Sequence, residues 1–255
     1  MGIFRVEGGE LKKMEAFVEG WEETMITSCL LGMMGEVYTD QIENPNAVSF
    51  LIGDFYFLAG EPKEELIRDI PNRSGMVLMC GNSGGWHELI EQVYGERAKK
   101  VTRYAIKKEG DIFDRSKLRQ VVNGLQEGYE IRRIDAEIYR MAKKEEWSKD
   151  LCGQFLDEAD YVKRGLGVVV LHHGKLAAGA SSYTVYDKGI EIEIDTKPEY
   201  RRKGLAYAAG AGLILECLER GLYPSWDAQN LWSVALAEKL GYHFDHEYTA
   251  YEVKR

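Results

Sequence analysis

Residues 190–206 read IEIEIDTKPEYRRKGLA, and this stretch decides the fold of the C-terminal half. Isoleucine alternates with acidic residues from Ile190 to Asp195, which is the period of a β-strand with one apolar face and one acidic face. Residues 205–220 are apolar almost all round, as expected of a helix packed closely against a sheet. The sequence therefore predicts a strand, a basic turn and a buried helix in succession.

The turn between this strand and helix has the composition of an anion-binding site. N–H groups in the first turn of a helix carry partial positive charge, and Gly204 has no side chain to keep an anion from the main chain. Arg201, Arg202 and Lys203 add three consecutive cations. A solvated basic turn explains the same residues when they are taken alone. The spacings G-x-x-x-x-G-K-[ST] and G-x-G-x-x-G are absent from this turn, which argues against kinases and Rossmann dehydrogenases.

The segments around this core predict a mixed sheet and an α+β fold. From residue 129 the predicted elements are a strand at 129–135, helices at 136–151 and 157–163, a three-strand antiparallel meander ending at 196, the buried helix, a strand at 223–227, a helix at 231–240 and strands within 242–253. Asn230 is the expected N-cap of the last helix.

The N-terminal half predicts a smaller α/β domain, with helices at 11–21, 62–68, 85–94 and 114–125 and strands within 48–59, 76–80 and 100–108. We expect domains at 1–125 and 126–255. Both halves contain a strand, an asparagine, a helix that ends at a glycine, and a basic-ended strand, with Asn82 and Asn230 in corresponding places. Chance similarity and duplication of a segment explain this correspondence about equally well.

Composition restricts the partners. Forty-two acidic residues against 33 basic ones give a net charge of −9, which repels nucleic acid and anionic lipid. No apolar run approaches the roughly 20 residues that span a bilayer, and no signal-peptide pattern opens the chain, so the expected location is the cytoplasm. The four cysteines lie far apart with no histidine at ligand spacing. They predict reduced, mostly buried thiols and no metal site.

Three features together resemble the GNAT superfamily of acetyl-CoA-dependent N-acetyltransferases. RRKGLA at 201–206 fills the loop pattern [RQ]-x-x-G-x-[GA] of that superfamily. Asn230, Ser233 and the segment EKLGY at 238–242 are similar to its downstream asparagine and EKLGF segment. The element order from residue 129 is that of the GNAT fold, and the whole resembles bacterial GNAT families with an extra N-terminal half.

The resemblance implies direct transfer of acetyl from acetyl-CoA to a primary amine of a small molecule or peptide. The main chain of residues 194–196 would pair with the pantetheine amides, and the N–H groups of 202–206 would hold the pyrophosphate. The implied cofactor-binding residues are Ile194, Asp195, Thr196, Arg201, Arg202, Lys203, Gly204, Leu205, Ala206 and Asn230. A plain helix cap is the alternative role for Asn230.

The acidic face of the strand supplies the candidates for acid–base chemistry. Glu193 is the first candidate for the base that takes the amine proton, and Glu191 is a candidate for binding the acceptor. Ordinary solvated strand carboxylates are the alternative for both. Trp226 and Asp227 are further candidates for the acceptor pocket, with a buried aromatic ring and a turn carboxylate as their alternatives.

Ala237 departs from the family pattern. Many GNAT enzymes have a tyrosine at this position, seven residues after the asparagine, as the proton donor to the thiolate. Ser233, Tyr242 and Tyr183 are the candidate substitutes, and unassisted departure of the thiolate is another solution. A third is loss of chemistry, which would leave a CoA-binding sensor or scaffold. The N-terminal half would cover the acceptor site, mediate a homodimer or be a degenerate GNAT-like repeat, and these alternatives stay open.

Overall fold

The computed structural model describes residues 2–69 and 75–254. The chain forms two compact units, one within Met1–Arg103 and Glu247–Arg255, the other being Tyr104–His246. The predicted domains 1–125 and 126–255 divide the chain at other residues, and they stay a prediction.

The strands of the described residues are β1 (Phe4–Val6), β2 (Glu36–Thr39), β3 (Ala47–Ile52), β4 (Phe55–Gly60), β5 (Met76–Gly81), β6 (Ala98–Ile106), β7 (Tyr129–Arg133), β8 (Gly167–His172), β9 (Lys175–Tyr186), β10 (Gly189–Thr196), β11 (Tyr223–Ser225), β12 (Asp227–Ala228) and β13 (Phe244–Lys254). The α-helices there are α1 (Thr24–Leu30), α2 (Glu65–Arg68), α3 (Gly84–Tyr94), α4 (Arg115–Asn123), α5 (Ala136–Ala142), α6 (Glu158–Arg164), α7 (Leu205–Glu219) and α8 (Leu231–Leu240).

The first unit is built on strands in the order β1-β2-β3-β4-β5-β13. These neighbours are antiparallel except β4 and β5, which run parallel with Phe55 opposite Leu78. β3 is buried throughout and β4 up to its last residue, so both lie in the core. Asn82 follows β5 and precedes α3, as the sequence pattern indicated.

The second unit is built on strands in the order β11-β10-β9-β8-β7. β7 to β10 are antiparallel neighbours, while β10 and β11 run parallel and are connected through α7. α7 lies close to this sheet. A Cβ added at Gly210 of α7 would stand only 3.2 Å from Ile194 Cδ1 of β10. The helix ends with Gly221 at φ +68° and with the Leu222 N–H donating to the Cys217 carbonyl (2.9 Å).

The two units share a strand succession. In each, an antiparallel pair leads into a parallel neighbour, then an asparagine and a helix. They differ at the end of the parallel pair. In the first unit, β4 and β5 remain hydrogen-bonded to their ends, where the Asn82 N–H donates to the Leu58 carbonyl (3.0 Å). In the second unit β12 intervenes before the asparagine, and a degenerate repeat in the N-terminal half stays a prediction.

Two predicted helices were wrong in type or length. The helix expected at 11–21 is a 3₁₀ helix at Gly8–Val18, and the apolar residues Leu11, Met14 and Phe17 recur at its period of three. The helix expected at 136–151 ends at Ala142, whose carbonyl accepts a bond from the Ser148 hydroxyl (2.8 Å). Strands β1 and β2 were not predicted, being only 3 and 4 residues long.

The four cysteines are buried free thiols, which confirms that expectation. Burial raises the pKa values of Cys152 and Cys217 to about 12, so neither thiol is a nucleophile near neutral pH. Within 2–69 and 75–254, no three His, Cys, Asp or Glu side chains converge as metal ligands. Over the same ranges, no helix combines the length and apolar content needed to cross a membrane.

Candidate active site

The parallel strands β10 and β11 part after a short pairing. Gly189 lies opposite Tyr223 and Glu191 opposite Ser225, where their pairing ends. The chain then turns to β12, which pairs with β6 through Asp227 and Ala105. β10 continues to Thr196 and, in the described part of the chain, pairs there with β9 alone. Residues 192–196 therefore present an open strand edge, here called the open edge, to which an extended ligand with amide groups can add like a strand.

The turn that follows β10 is shaped for an anion. Arg202 and Gly204 are both left-handed, at φ +61° and +76°, and residues 201–204 are exposed. Gly204 is the N-cap of α7 with no side-chain cap, and the first helical bond runs from the Ala208 N–H to its carbonyl (3.1 Å). Gly204 has no side chain to cap the first-turn N–H groups, which lie at the positive end of a 15-residue helix. This is the arrangement of a phosphate site.

The cations of this turn are held by neighbouring groups. Arg201 Nε donates to the Thr196 carbonyl (3.4 Å), and Lys203 Nζ lies 4.9 Å from the centre of the Tyr200 ring. The Tyr200 hydroxyl and His172 Nδ1 are hydrogen-bonded at 3.1 Å. These contacts anchor the turn to the end of β8.

The role of His172 was missed by the sequence reasoning. The hairpin tip predicted at His172 and His173 is confirmed, because β8 ends at His172 and β9 begins at Lys175. However, the His172 ring also stacks on Tyr129 at 4.4 Å. Desolvation, followed by electrostatic interactions with His173 and Lys203, lowers the pKa of His172 below 6.5, which favours the neutral imidazole at pH 7. No local pattern pairs His172 with Tyr200, 28 residues away.

The Asp195 side chain is a second group that the sequence left without a role. Burial and, less strongly, the Asp150 carboxylate raise its pKa to about 6, against the opposing charge of Arg201. A partly buried carboxyl at the open edge is therefore half protonated near pH 6. The pKa of this side chain in the unfolded chain is 3.8. Ionisation of Asp195 therefore destabilises the folded protein as pH rises from 3.8 through 6.

We expect Asp195→Asn to stabilise the protein at pH 8. The folded pKa is raised, so the stability that Asp195 contributes is complete below pH 3.8 and is lost as pH rises through 6. After allowance for partial exposure, the gain in the free energy of unfolding is about 1–2 kcal/mol. Urea unfolding at pH 8 and pH 3.5 measures it, with the exposed Asp111→Asn as control. An equal effect of Asp195→Asn at both pH values would contradict this assignment.

The two glutamates of the acidic face occupy different positions. Glu193 is partly exposed on the open edge, while Glu191 is buried in the last paired row. Glu191 lies opposite Thr184 on β9 and Ser225 on β11, and the register between β9 and β10 then shifts by one residue, at Tyr183. The predicted base and the predicted acceptor-binding carboxylate are therefore brought to one strand, but only Glu193 has solvent access.

Comparison with known proteins decides the family. The sequence profile described as GNAT acetyltransferase matches residues 15–251, nearly the whole chain. The chain belongs to the GNAT acetyltransferase family. It is thus an acyltransferase of the N-acetyltransferase type, and the expected fold is confirmed.

Relatives of this GNAT protein extend over both of its units. A GCN5-related N-acetyltransferase-like protein from Streptococcus suis 89/1591 is 43% identical, with a TM-score of 0.91 over 96% of this chain and 98% of its own. The uncharacterized N-acetyltransferase YdfB of Bacillus subtilis is 28% identical, and the match covers 85% of each chain. A putative GNAT acetyltransferase from Novosphingobium aromaticivorans shares the fold at 16% identity and a TM-score of 0.54, covering 84% and 90%.

The residues that follow β11 in this GNAT protein are held by one another. The Asn230 side chain accepts the Ser233 N–H (2.9 Å), so it caps α8 as predicted. The Ser233 hydroxyl accepts the Trp226 ring N–H (3.0 Å). Trp226 is buried against Tyr242, while Asp227 is partly exposed in β12. Trp226 thus has the surroundings of a core residue, and its place in an acceptor pocket stays a prediction.

Ala237 stands where many GNAT enzymes have the tyrosine that donates a proton to the thiolate, so the surroundings of this residue and of its candidate substitutes matter. Ala237 is fully buried within α8. The Tyr242 hydroxyl is buried and donates to the Pro224 carbonyl (2.6 Å), so its proton is engaged. Tyr183 is buried at the register shift, beside the row of Glu191. The role of proton donor therefore stays a prediction for each of the three candidate substitutes.

Proposed function

We propose that the enzyme moves an acetyl group from acetyl-CoA directly to a primary amine of a small molecule or peptide. The single observation that carries this proposal is the open edge of β10 leading into an exposed, uncapped and basic helix N-terminus. An extended arm with amide groups and a diphosphate match these two features in that order along the chain. The family supplies the reaction class, and the site supplies the fit to the cofactor.

The residues present fit acetyl-CoA on the chemistry of their donors. Ile194, Asp195 and Thr196 would pair with the pantetheine amides through main-chain groups of the open edge. The N–H groups of 202–206 would hold the pyrophosphate, with Arg201, Arg202 and Lys203 supplying positive charge. Asn230, exposed at the start of α8, would contact the pantetheine or a water beside it. When bound, acetyl-CoA supplies the acetyl thioester that an amine attacks.

The acidic face of β10 would prepare the acceptor. A carboxylate beside the groove attracts an ammonium group and takes a proton from it, which gives the neutral amine that attacks a carbonyl. Glu193 is the base predicted from the sequence, and its partial exposure gives a substrate access to it. Glu191, Trp226 and Asp227 are the other proposed acceptor-side residues. The net charge of −9 favours cationic acceptors over nucleic acid.

A CoA-binding module without turnover is the second candidate function. The buried Ala237 in place of the tyrosine favours it, because this removes the usual proton donor. The alternative keeps the same cofactor groove and differs only in chemistry. The cytoplasmic location and a homodimer stay predictions.

A thiol-release assay with acetyl-CoA and a panel of primary amines tests the proposal. The panel contains diamines, polyamines, aminoglycosides and peptides with free N-termini, and calorimetry with CoA runs in parallel. We expect amine-dependent release of CoA with at least one of these classes. Tight CoA binding with no amine-dependent release would favour the binding module, and absence of CoA binding would contradict both functions.

A further inference from the structure

A second tyrosine–lysine pair lies beside the anion-binding turn. Lys239 Nζ, at the end of α8, lies 4.1 Å from the centre of the Tyr207 ring of α7. The Tyr207 hydroxyl donates to the Lys239 carbonyl (3.4 Å). Tyr207 therefore contacts both the ammonium group and the main chain of Lys239. A lysine side chain normally has much rotamer freedom, and these two contacts restrict it before any ligand binds.

A further lysine reaches the same point from another helix. Lys117 of α4 donates from Nζ to the Lys239 carbonyl (3.1 Å). Both lysines are exposed, and within the described residues neither forms a salt bridge with a carboxylate. Two ammonium groups without acidic partners are thus brought together in a protein with a net charge of −9. We call Lys117, Tyr207 and Lys239 the basic cluster.

Capping of a helix end explains only part of the basic cluster. The last carbonyls of a helix carry partial negative charge, which a nearby cation stabilises. α8 ends at Leu240, so the bond from Lys117 to the Lys239 carbonyl has this effect. The Lys239 ammonium group, however, lies over a ring of another helix and donates to none of these carbonyls. Its position calls for another explanation.

The basic cluster flanks the proposed diphosphate site. Tyr207 is the third residue of α7 and Gly204 is its N-cap, and residues three apart are neighbours on one face of a helix, about 5–6 Å from each other. On the other side of the turn, Tyr200 is bonded to His172 and faces Lys203, which belongs to the turn itself. The basic cluster draws its cations from α4 and α8 and extends the positive charge beyond the turn.

CoA has a second anionic group beyond its diphosphate. The diphosphate joins the pantetheine arm to a ribose, and this ribose carries a phosphate monoester at its 3′ oxygen. With the arm on the open edge and the diphosphate in the turn, the ribose lies on the far side of the turn from the arm. A phosphate monoester has a charge of about −1.5 to −2 at pH 7, which two ammonium groups match.

We propose that Lys117 and Lys239 bind the 3′-phosphate of CoA and that Tyr207 positions Lys239 for it. The Lys239 ammonium group exchanges an aromatic ring for a phosphate oxygen, which is a charged and therefore stronger partner. The turn then holds the diphosphate, and the basic cluster selects a cofactor with the additional phosphate. This deepens the proposed function, on which it rests.

Calorimetry with CoA and with dephospho-CoA, which lacks only the 3′-phosphate, tests the proposal. We expect the wild type to bind CoA about 10- to 100-fold more tightly, which corresponds to about 1.4–2.8 kcal/mol. Lys117→Met and Lys239→Met should each reduce this preference by at least about threefold, and the double variant should abolish it. Affinity for dephospho-CoA should not change in any of the three variants.

A lysine far from the turn provides the matched control. Lys188 is exposed and directly precedes β10, at the end opposite Thr196. Lys188→Met removes the same charge and should leave the preference for CoA unchanged. A loss of preference in this variant equal to that in Lys239→Met would mean that net charge explains the effect, which would overturn the proposal.

The role of Tyr207 is tested by two substitutions. Tyr207→Leu removes the ring beneath the Lys239 ammonium group and should lower the preference for CoA over dephospho-CoA. Tyr207→Phe keeps the ring and should retain most of the preference. Equal losses in the two variants, or a loss that affects both ligands equally, would contradict the positioning role.

The outcomes separate this proposal from the proposed function. Equal affinity of the wild type for both ligands, or a preference that survives in the double variant, overturns the basic cluster and leaves the acetyl-CoA site standing. Binding of neither ligand contradicts both. A lower unfolding temperature of Lys117→Met with an unchanged preference would make Lys117 a helix cap alone. If Lys117→Met misfolds, Lys239→Met decides, because the Lys239 ammonium group is exposed and caps no helix.

Discussion

Gly204→Glu is expected to weaken CoA binding by about 100-fold or more, whereas Gly221→Glu leaves it unchanged. The first change places a carboxylate at the mouth of α7, where the proposed pyrophosphate approaches the main-chain N–H groups. Hydrogen bonds to charged groups contribute about 1.5–3 kcal/mol each, and every 1.4 kcal/mol is about tenfold in affinity. Loss of one such bond together with the new repulsion therefore gives the expected effect, which calorimetry with CoA measures.

Gly221 is a matched control because it flanks the other end of the same helix. Gly204 and Gly221 have φ values of +76° and +68°, and a Cβ at either position meets no atom within 4 Å. A side chain therefore costs the same backbone strain at both, about 1–2 kcal/mol. Equal losses of CoA affinity in the two variants would mean that strain, not the phosphate site, explains the effect.

Glu193→Gln is expected to lower kcat by about 10²–10⁴-fold, the range that a general base contributes. Glutamine keeps the size of the side chain but cannot accept the proton of the amine. Affinity for CoA should not change, because the proposed contacts of CoA are with main-chain groups of the open edge and of the turn after it. Thiol-release kinetics and calorimetry with CoA provide the two measurements.

Glu191→Gln is the comparison that decides which carboxylate takes the proton. We expect a loss of less than about tenfold in kcat, because Glu191 is buried and Glu193 is the one of the two that a substrate can reach. The reverse ranking, with the large loss at Glu191, would move the role of base to Glu191.

Local pattern was enough for much of the second unit. Alternation along 190–195, the apolar run after Gly204, and Gly221 at its end specify a strand, a turn and a helix through interactions within a few residues. The same holds for Asn230, whose side chain bonds the N–H three positions on. Such short-range rules operate wherever the flanking chain permits them.

Pairing between residues far apart in the chain determines the features that local sequence patterns did not predict. The open edge exists because residues after Ser225 pair with β6, more than 100 residues earlier in the chain. The register between β9 and β10 shifts at Tyr183, and no residue type predicts such a shift. The bond between His172 and Tyr200 likewise joins two segments through the sheet.

The parallel pair β4 and β5 of the first unit differs from the pair β10 and β11, whose strands separate after Glu191 and Ser225. Its parallel pair stays joined up to Asn82, so among its described residues this pair offers no open edge like that of residues 192–196. The connection of that pair contains α2, a helix of only 4 residues, where the second unit has α7. These differences are those expected of a repeat that kept the order of the strands but lost the open strand edge.

A crystal structure of the complex with CoA tests the central claim most directly. We expect the diphosphate oxygens within about 2.7–3.2 Å of main-chain nitrogens between Arg202 and Ala206, and the pantetheine amides paired with residues 192–196. CoA bound elsewhere, with these amides solvated and the edge of β10 unpaired, would contradict it.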